Sequence, residues 1–291
     1  APTFRQQLYV GYQAQRPMMT DDLSGQFVIL HEVLKKMGIQ MFEIDGYEAD
    51  DIIGTIAKQA VEKTVEDREL KVGVEDGSSK IDKKKINHPS SNFKKQSSTI
   101  HYLPSNLEVI IVTGDRDMLQ LVNSHVKVFA PIVGLTKTIL FDEALVEEKY
   151  GLKPSQIIDY KALVGDASDN YPGVTGIGPK TASALLKKYK TFEGVYQHLG
   201  ELSVKLSQAL ATDAEQAALA KKLATMPCDA PVSFDIEKCS FKHFDIDGAA
   251  AAFRELGFKS LQKRLPGYVE EPEKKDIKGV KKKNSDQLGL L

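Results

Sequence analysis

Cysteine is nearly absent: Cys228 and Cys239 are the only two in 291 residues. Neither has a His or Cys neighbour at the spacing of a zinc knuckle or a redox pair, so a reducing, cytoplasmic setting is expected. Long hydrophobic runs are missing as well. No apolar stretch approaches the roughly 20 residues that span a bilayer, and the N-terminus lacks the charged-then-apolar pattern of a secretory leader, so a soluble chain without a membrane partner is expected. There is also no strong charge of either sign. The formal net charge is −1, which neither announces nor excludes a polyanionic partner and shifts attention to where the charges sit. The chain opens at Ala1 rather than Met, and Phe4 and Arg5 follow almost at once, as if sequence continued upstream.

The chain is long enough to bury a sizeable core in one large or two smaller domains. Leu23, Phe27, Leu30, Leu34 and Met37 recur at helical spacing between Thr20, a candidate N-cap, and Gly38, a candidate stop, which predicts an amphipathic helix over residues 21–37. Ile39 to Ile44 reads as a short strand, and a second helix starts near Tyr47 with Ile53, Ile56, Ala57 and Ala60 inward. From Lys63 to Asn106 the periodicity dissolves into polar residues and charge runs, which predicts a mobile insertion. Leu107 to Thr113 reads as a strand covered on both faces, Met118 to Val122 as a helix, and Val126 to Ala130 as another strand. After Phe141 the pattern is predominantly helical, over residues 143–150, 154–164 and 181–189, then more weakly to about 225 and again from 248 to 265. The fold class expected is α/β, with a parallel sheet in residues 1–150, a helical subdomain over 151–267 and a disordered tail over 268–291.

Three acidic groups could carry chemistry. Glu48 and Asp51 lie three apart near a helix start, with Asp50 between them, although acids there can simply complement the helix dipole. Asp115 and Asp117 follow a buried strand, at the strand end where open parallel sheets bind ligands. One such Asp could cap a helix; two require another reason. Asp166 and Asp169 lie beyond a helix end, where an ordinary Asx turn is the bland alternative. If the groups converged without a cation, they would repel one another and raise one another's pKa values, so convergence makes sense chiefly around Mg²⁺ or Mn²⁺. Two such ions suit phosphodiester hydrolysis, orienting water and stabilising the leaving oxygen without a nucleophilic Ser, Cys or His; histidine is indeed sparse, at six residues.

Downstream, Gly173 to Thr181 joins two helices through glycines. Gly176 and Gly178 permit close backbone approach, Pro179 suits a first helical turn, and free N–H groups beside Lys180 and Thr181 form a phosphate site that reads no base sequence; a bare helix turn is the alternative. Between Phe4 and Arg16, aromatic residues that can stack on bases alternate with cations that can hold phosphates.

Taken in order, Tyr47-Glu48-Ala49-Asp50-Asp51, Thr113-Gly114-Asp115-Arg116-Asp117, the run from Gly165 to Val174, and Gly176-Ile177-Gly178 resemble the 5′-nuclease family, and within it the 5′–3′ exonuclease domain of bacterial DNA polymerase I. The resemblance runs from about Phe4 to Leu265, and the ordered set is far more specific than any one motif. It implies a PIN-like central sheet flanked by helices, a helix-hairpin-helix subdomain, and cleavage of flapped, nicked or 5′-ended duplex DNA in primer removal and repair, by a monomer. It assigns Glu48, Asp50, Asp51, Asp115 and Asp117 to one metal and Asp166 and Asp169 to a second, Gly176, Gly178, Lys180 and Thr181 to a duplex-gripping hairpin that extends to a K⁺ site, and residues 1–20 to an arch. In that arch Arg5 and Arg16 carry catalytic roles and Tyr12 and Gln13 touch DNA.

Two departures bear on activity. Gln13 replaces the Lys usual in the family, which predicts weaker contact with the reacting phosphate. The family's first strand, with a metal-binding Asp, and a further Asp before the arch would both precede Ala1, so the sequence reads as N-terminally incomplete and its activity in isolation is open. At the other end, Gln287 to Leu291 resembles a sliding-clamp docking peptide, as expected of a standalone nuclease. Three competitors remain at this point: a non-catalytic structure-specific DNA-binding protein, a PIN-type ribonuclease, against which Gly173 to Thr181 argues, and a structural protein.

Overall fold

The computed structural model describes residues 2–75, 107–133 and 136–267. Residues 76–106 of the polar insertion and the tail bearing Gln287 to Leu291 lie outside the described residues. The chain begins with helices α1 (Phe4–Leu8), α2 (Asp21–Lys36) and α3 (Ala49–Glu75), then strand β1 (Val109–Val112), a 3₁₀ turn over Asp117–Leu121, and strands β2 (Val126–Val133) and β3 (Lys137–Phe141). Helices α4 (Glu143–Tyr150) and α5 (Ile157–Val164) follow, then the two-residue strands β4 (Gly165–Asp166) and β5 (Tyr171–Pro172). The remainder is helical: α6 (Pro179–Tyr189), α7 (Phe192–Gln197), α8 (Val204–Thr212), α9 (Ala214–Ala224), α10 (Ile246–Glu255) and α11 (Lys259–Gln262).

The expected α/β class holds, with a sheet that is small and mixed among the described residues. β1 pairs in parallel with β2, and β2 pairs antiparallel with β3, in the order β1-β2-β3. β3 was not anticipated, because Lys137 to Phe141 is too short and too polar at its start to stand out from a loop. Two other expectations fail. Residues 39–44 form no strand, and among the described residues β1 is covered on one face only: Ile111 is 5 % exposed while Ile110 and Val112 are 48 % and 72 % exposed. A run of β-branched residues signals strand preference but does not tell how many faces are covered. The supposed insertion also begins later than expected, since α3 continues to Glu75.

Contacts divide the chain into two units that cut across sequence order, one made of residues 1–19 and 42–237, the other of Thr20–Met41 and the segment from Lys238 on. In the second unit α2 forms as expected, with Thr20 at the N-cap position but making no side-chain cap bond. Among the described residues its apolar stripe is largely uncovered: Val33 packs on Ala252 and Phe253, whereas Leu23, Phe27 and Leu30 are exposed.

Besides a small cluster of Tyr12, Tyr171, Ala220, Leu223 and Ala224, the first unit holds two larger apolar cores. One joins the sheet to α3 and α4 through Ala57, Ile111, Val128, Phe141 and Val146. The other surrounds α5, α6 and α7 through Leu163, Ala182, Leu186 and Val195. α5 is buried almost all round, with Ile157, Asp159, Ala162 and Leu163 inside. Directly after it the chain reverses through the β4–β5 ladder, where Asp166 pairs with Tyr171 and Gly165 with Pro172. The two backbones lie so close that a Cβ at Gly165 would stand 2.3 Å from the Gly173 nitrogen, and one at Gly173 equally close to the Gly165 nitrogen. Gly165 also has φ +79°, so no side chain fits there without strain.

Candidate metal centre

The acidic turn after α5 is locally determined. Asp166 Oδ1 accepts hydrogen bonds from Ser168 N and Ser168 Oγ at 2.7 and 2.6 Å, the Asx turn that the sequence allowed. Its other oxygen is free of that turn and meets the Lys161 ammonium, which also contacts Asp117 Oδ1. Asp117 is delivered by the junction after β1. There Thr113 Oγ1 accepts from Asp115 N, and Asp115 Oδ1 accepts from Asp117 N at 2.8 Å. Asp115 is thus bonded back to the start of the 3₁₀ turn, while the Asp117 carboxylate is taken by Lys161, so that the two acids do different things.

Asp117, Asp166 and Asp169 each offer an oxygen within 4.8 Å of the others. This grouping differs from the division by sequence, which put Asp117 with Asp115 and the α3 acids. Asp50 and Asp115 line the same cleft of about 310 Å³ as Asp117, Asp169 and Glu48. Asp51 is placed otherwise. It is fully buried, and its two oxygens accept from Arg5 NH2 and NH1 at 2.7 and 2.9 Å, with Glu48 N adding a third bond at 3.0 Å.

Arg5 is the counterpart of that buried carboxylate. NH1 also donates to Glu48, NH2 to the Thr225 carbonyl and Nε to the Leu223 carbonyl, so all five guanidinium N–H groups are engaged within the protein. The rest of the N-terminal segment closes over the acidic turn. Gln13 Nε2 and Arg16 NH2 donate to Asp169 Oδ1 at 3.0 and 2.7 Å, Gln13 N donates to the Asp169 carbonyl, and Asn170 Nδ2 donates to the Gly11 carbonyl. Gln13 stands at φ +56° to do so. The Tyr12 hydroxyl lies 3.2 Å from Glu48 Oε2, and its ring stacks with Tyr171. Thus Arg5, Tyr12, Gln13 and Arg16 all reach the acids, although α1 and the turns after it give the segment a folded rather than extended form.

The electrostatics show a carboxylate excess. Burial, then Asp115, Glu48, Asp117 and Asp51, push Asp50 up to about 6. Burial raises Asp117 despite Lys161, whereas at Asp166 the bonds from Lys161 and Ser168 outweigh burial and hold it below the usual carboxylate range. A carboxylate with a raised native pKa prefers its proton in the folded state, so its ionisation destabilises the fold. In EDTA the thermal midpoint should therefore fall as pH rises from about 4 to about 6, and Asp50→Asn should flatten the fall. A midpoint that climbs through this interval would contradict the placement of Asp50. Asp166 contributes with the opposite sign, but only as pH drops below the ordinary carboxylate range.

Two residues of the site had no role assigned from the sequence. Lys161 lies outside every motif, and Tyr171 falls within the run from Gly165 to Val174 without a function of its own. The Tyr171 hydroxyl is buried without a hydrogen-bond partner among the described residues, and burial followed by Asp117, Asp166 and Asp169 raises its pKa. Carboxylates alone, hard oxygen donors in excess over cations, beside an orphaned hydroxyl, fit a hard divalent ion.

The hairpin follows the acidic turn without a break. Val174 N donates to the Leu163 carbonyl and Ile177 N to the Val174 carbonyl. Gly176 has φ +80°, and a Cβ there or at Gly178 would meet no protein atom within 4 Å. Gly178 sits at the N-cap of α6 with no side-chain cap, followed by Pro179 in the first turn, and Lys180 is exposed beside a half-buried Thr181.

Comparison with known proteins bears directly on this arrangement. Residues 1–87 match the family model for the 5′–3′ exonuclease N-terminal resolvase-like domain, and residues 152–247 match that for the 5′–3′ exonuclease C-terminal SAM fold. The chain belongs to the 5′–3′ exonuclease family. Both halves of the family's domain pair occur in order, and the acidic turn and hairpin fall in the second. Among curated relatives, DNA polymerase I of Bacillus caldotenax is 35 % identical over 273 residues, covering 94 % of this chain and 26 % of that protein. This exonuclease-family chain thus spans about a quarter of the length of that relative. Among crystal structures, the T5 D15 protein co-crystallised with metal ions aligns with TM-score 0.55 at 18 % identity, covering 89 % of this chain and 80 % of the other. The bacteriophage T5 D15 flap endonuclease in a pseudo-enzyme–product complex with DNA and metal ions aligns with TM-score 0.50 at 19 % identity, covering 90 % and 78 %. They share its fold.

Proposed function

We propose that this chain hydrolyses phosphodiester bonds near the 5′ ends of flapped, nicked or 5′-ended duplex DNA, in primer removal and repair, using Mg²⁺ or Mn²⁺. The observation that carries this reading is the convergence of Asp117, Asp166 and Asp169 beneath a lid that ends in Arg16 and Gln13. Asp117, Asp166 and Asp169 would hold one ion, and Asp50 and Asp115, which line the same cleft, a second. Such ions supply an activated water and charge neutralisation for the departing oxygen.

The protein's own groups do the rest. Asp115 fixes the turn that presents Asp117. Arg5, with every donor engaged inside, acts by position: it holds Glu48 and Asp51 so that Asp50 faces the cleft. Arg16, with more than half its side chain exposed, is the cation free to turn from Asp169 toward a phosphate. Tyr12 presents a buried aromatic under the entering strand. The uncapped α6 N-terminus, with Gly176 and Gly178 open to approach, receives a duplex phosphate. Because the β4–β5 ladder joins that hairpin to Asp166, the gripped phosphate stands at a fixed offset from the cleft.

A flap duplex labelled at its 5′ end tests this reading. The full chain with Mg²⁺ should release short labelled products, EDTA should stop the reaction, and Asp166→Ala should lose it. Duplex binding without any cleavage in saturating Mg²⁺ or Mn²⁺ would overturn the nuclease reading in favour of a non-catalytic DNA-binding protein.

A further inference from the structure

Lys161 belongs to none of the acidic motifs, yet its ammonium lies between two of their carboxylates, contacting Asp117 Oδ1 and Asp166 Oδ2 together. The three side chains are only 20 %, 15 % and 9 % exposed respectively. The third member of the cluster is held separately, since Asp169 takes Gln13 and Arg16 from the N-terminal segment. Lys161 is placed there by its helix. It sits on α5, whose Ile157, Ala162 and Leu163 face apolar cores, five residues before Asp166. Its stem runs along the final turn of the helix and its ammonium arrives where the chain reverses.

We propose that Lys161 is a positioning residue that serves as the resident counter-ion of the Asp117–Asp166 pair and competes there with the divalent ion. This rests on the metal reading above. Two carboxylates with an oxygen each within 4.8 Å of the other and of Asp169 repel when all are ionised. An ammonium between them holds the pair together before any ion arrives, so that the site is preformed. The same ammonium occupies oxygens that a divalent ion needs and adds a like charge beside it, so its presence weakens ion binding. Lys161 thus sets how much free metal the site requires. A Lys that merely packed its stem against α5 would leave metal affinity unaltered.

Calorimetric titration of the full chain with Mn²⁺ in the absence of DNA separates these roles, with thermal unfolding in EDTA and in saturating Mn²⁺ as a second readout. Lys161→Met keeps the length and apolar stem without the charge. It should bind Mn²⁺ about 5-fold or more tightly, melt lower than wild type in EDTA and regain most of the difference in Mn²⁺. Lys161→Arg, which restores a cation, should return affinity toward the wild-type value. If Lys161→Met does not fold in EDTA, Lys161→Gln provides the same comparison with a neutral polar group. Equal or weaker Mn²⁺ binding by the neutral variants, with wild type binding normally, would overturn the role of Lys161 alone. Absence of Mn²⁺ binding by wild type and variants alike would overturn the metal reading itself.

Discussion

Arg5→Ala should lower the unfolding free energy by about 3–5 kcal/mol, the range for removing one partner from a buried ion pair. The expectation is at this high end because three separate penalties coincide. The Asp51 carboxylate, with no exposure at all, would keep only the Glu48 amide as a bonding partner. The Leu223 and Thr225 carbonyls, at the C-terminal end of α9, would lose their guanidinium donor. Removing the side chain would also leave a void between α1 and α3. Lysine should rescue little, since a single ammonium cannot reproduce a fork with five satisfied donors. Adding Asp51→Asn to Arg5→Ala should restore part of the loss, because the stranded charge is then gone. Urea unfolding of the three variants measures this, and a loss below about 1 kcal/mol for Arg5→Ala, the level of an exposed pair, would show that the pair is not the fastening it looks to be.

Asp117→Asn should reduce Mg²⁺-dependent flap cleavage by about 10²–10⁴-fold, comparable to the loss of a group acting on the reacting atoms. Of the acids in the cleft, Asp117 is the one shared between both surroundings: it follows β1 beside Asp115, and its carboxylate joins the turn that bears Asp166 and Asp169. Asparagine keeps the shape and one acceptor oxygen, so folding should be little disturbed, while the negative charge that draws an ion is lost. The Asp115 bond to its backbone amide is unaffected by the substitution. Single-turnover rates at saturating DNA separate this loss from any change in binding. Retention of more than about a tenth of the wild-type rate would remove Asp117 from the metal centre.

The acids themselves were legible in the sequence because each stands where a regular element breaks: at the start of α3, at the end of β1 and beyond α5. Their partition was not. Sequence order ties Asp117 to Asp115, but a backbone bond turns Asp115 back onto its own turn and releases Asp117 toward residues about 50 positions later. Similarly, Glu48 and Asp51 looked equivalent at helical spacing. Only the packing of α1 decides that Asp51 takes the buried guanidinium while Asp50, from the opposite side of the first turn, faces the cleft. Lys161 was invisible because a lysine on a helix is ordinarily solvated; burial of α5 on nearly every side removes that option. The strand expected at residues 39–44 had the right residues and no partner among the described strands, and local preference does not supply one.

The bonds that close the lid join positions very far apart in the chain. Gln13 reaches Asp169 across 156 residues, and Arg5 reaches Leu223 across 218. Contacts of such separation gather only after the intervening chain has been ordered, since the loop-closure entropy must be overcome first. The hairpin and the acidic turn, by contrast, take much of their form from near neighbours, as in the bonds from Ser168 to Asp166 and from Val174 N to the Leu163 carbonyl. Folding should therefore assemble the hairpin before the cleft, so that, on the proposed function, a newly made chain would hold DNA before it could cut it.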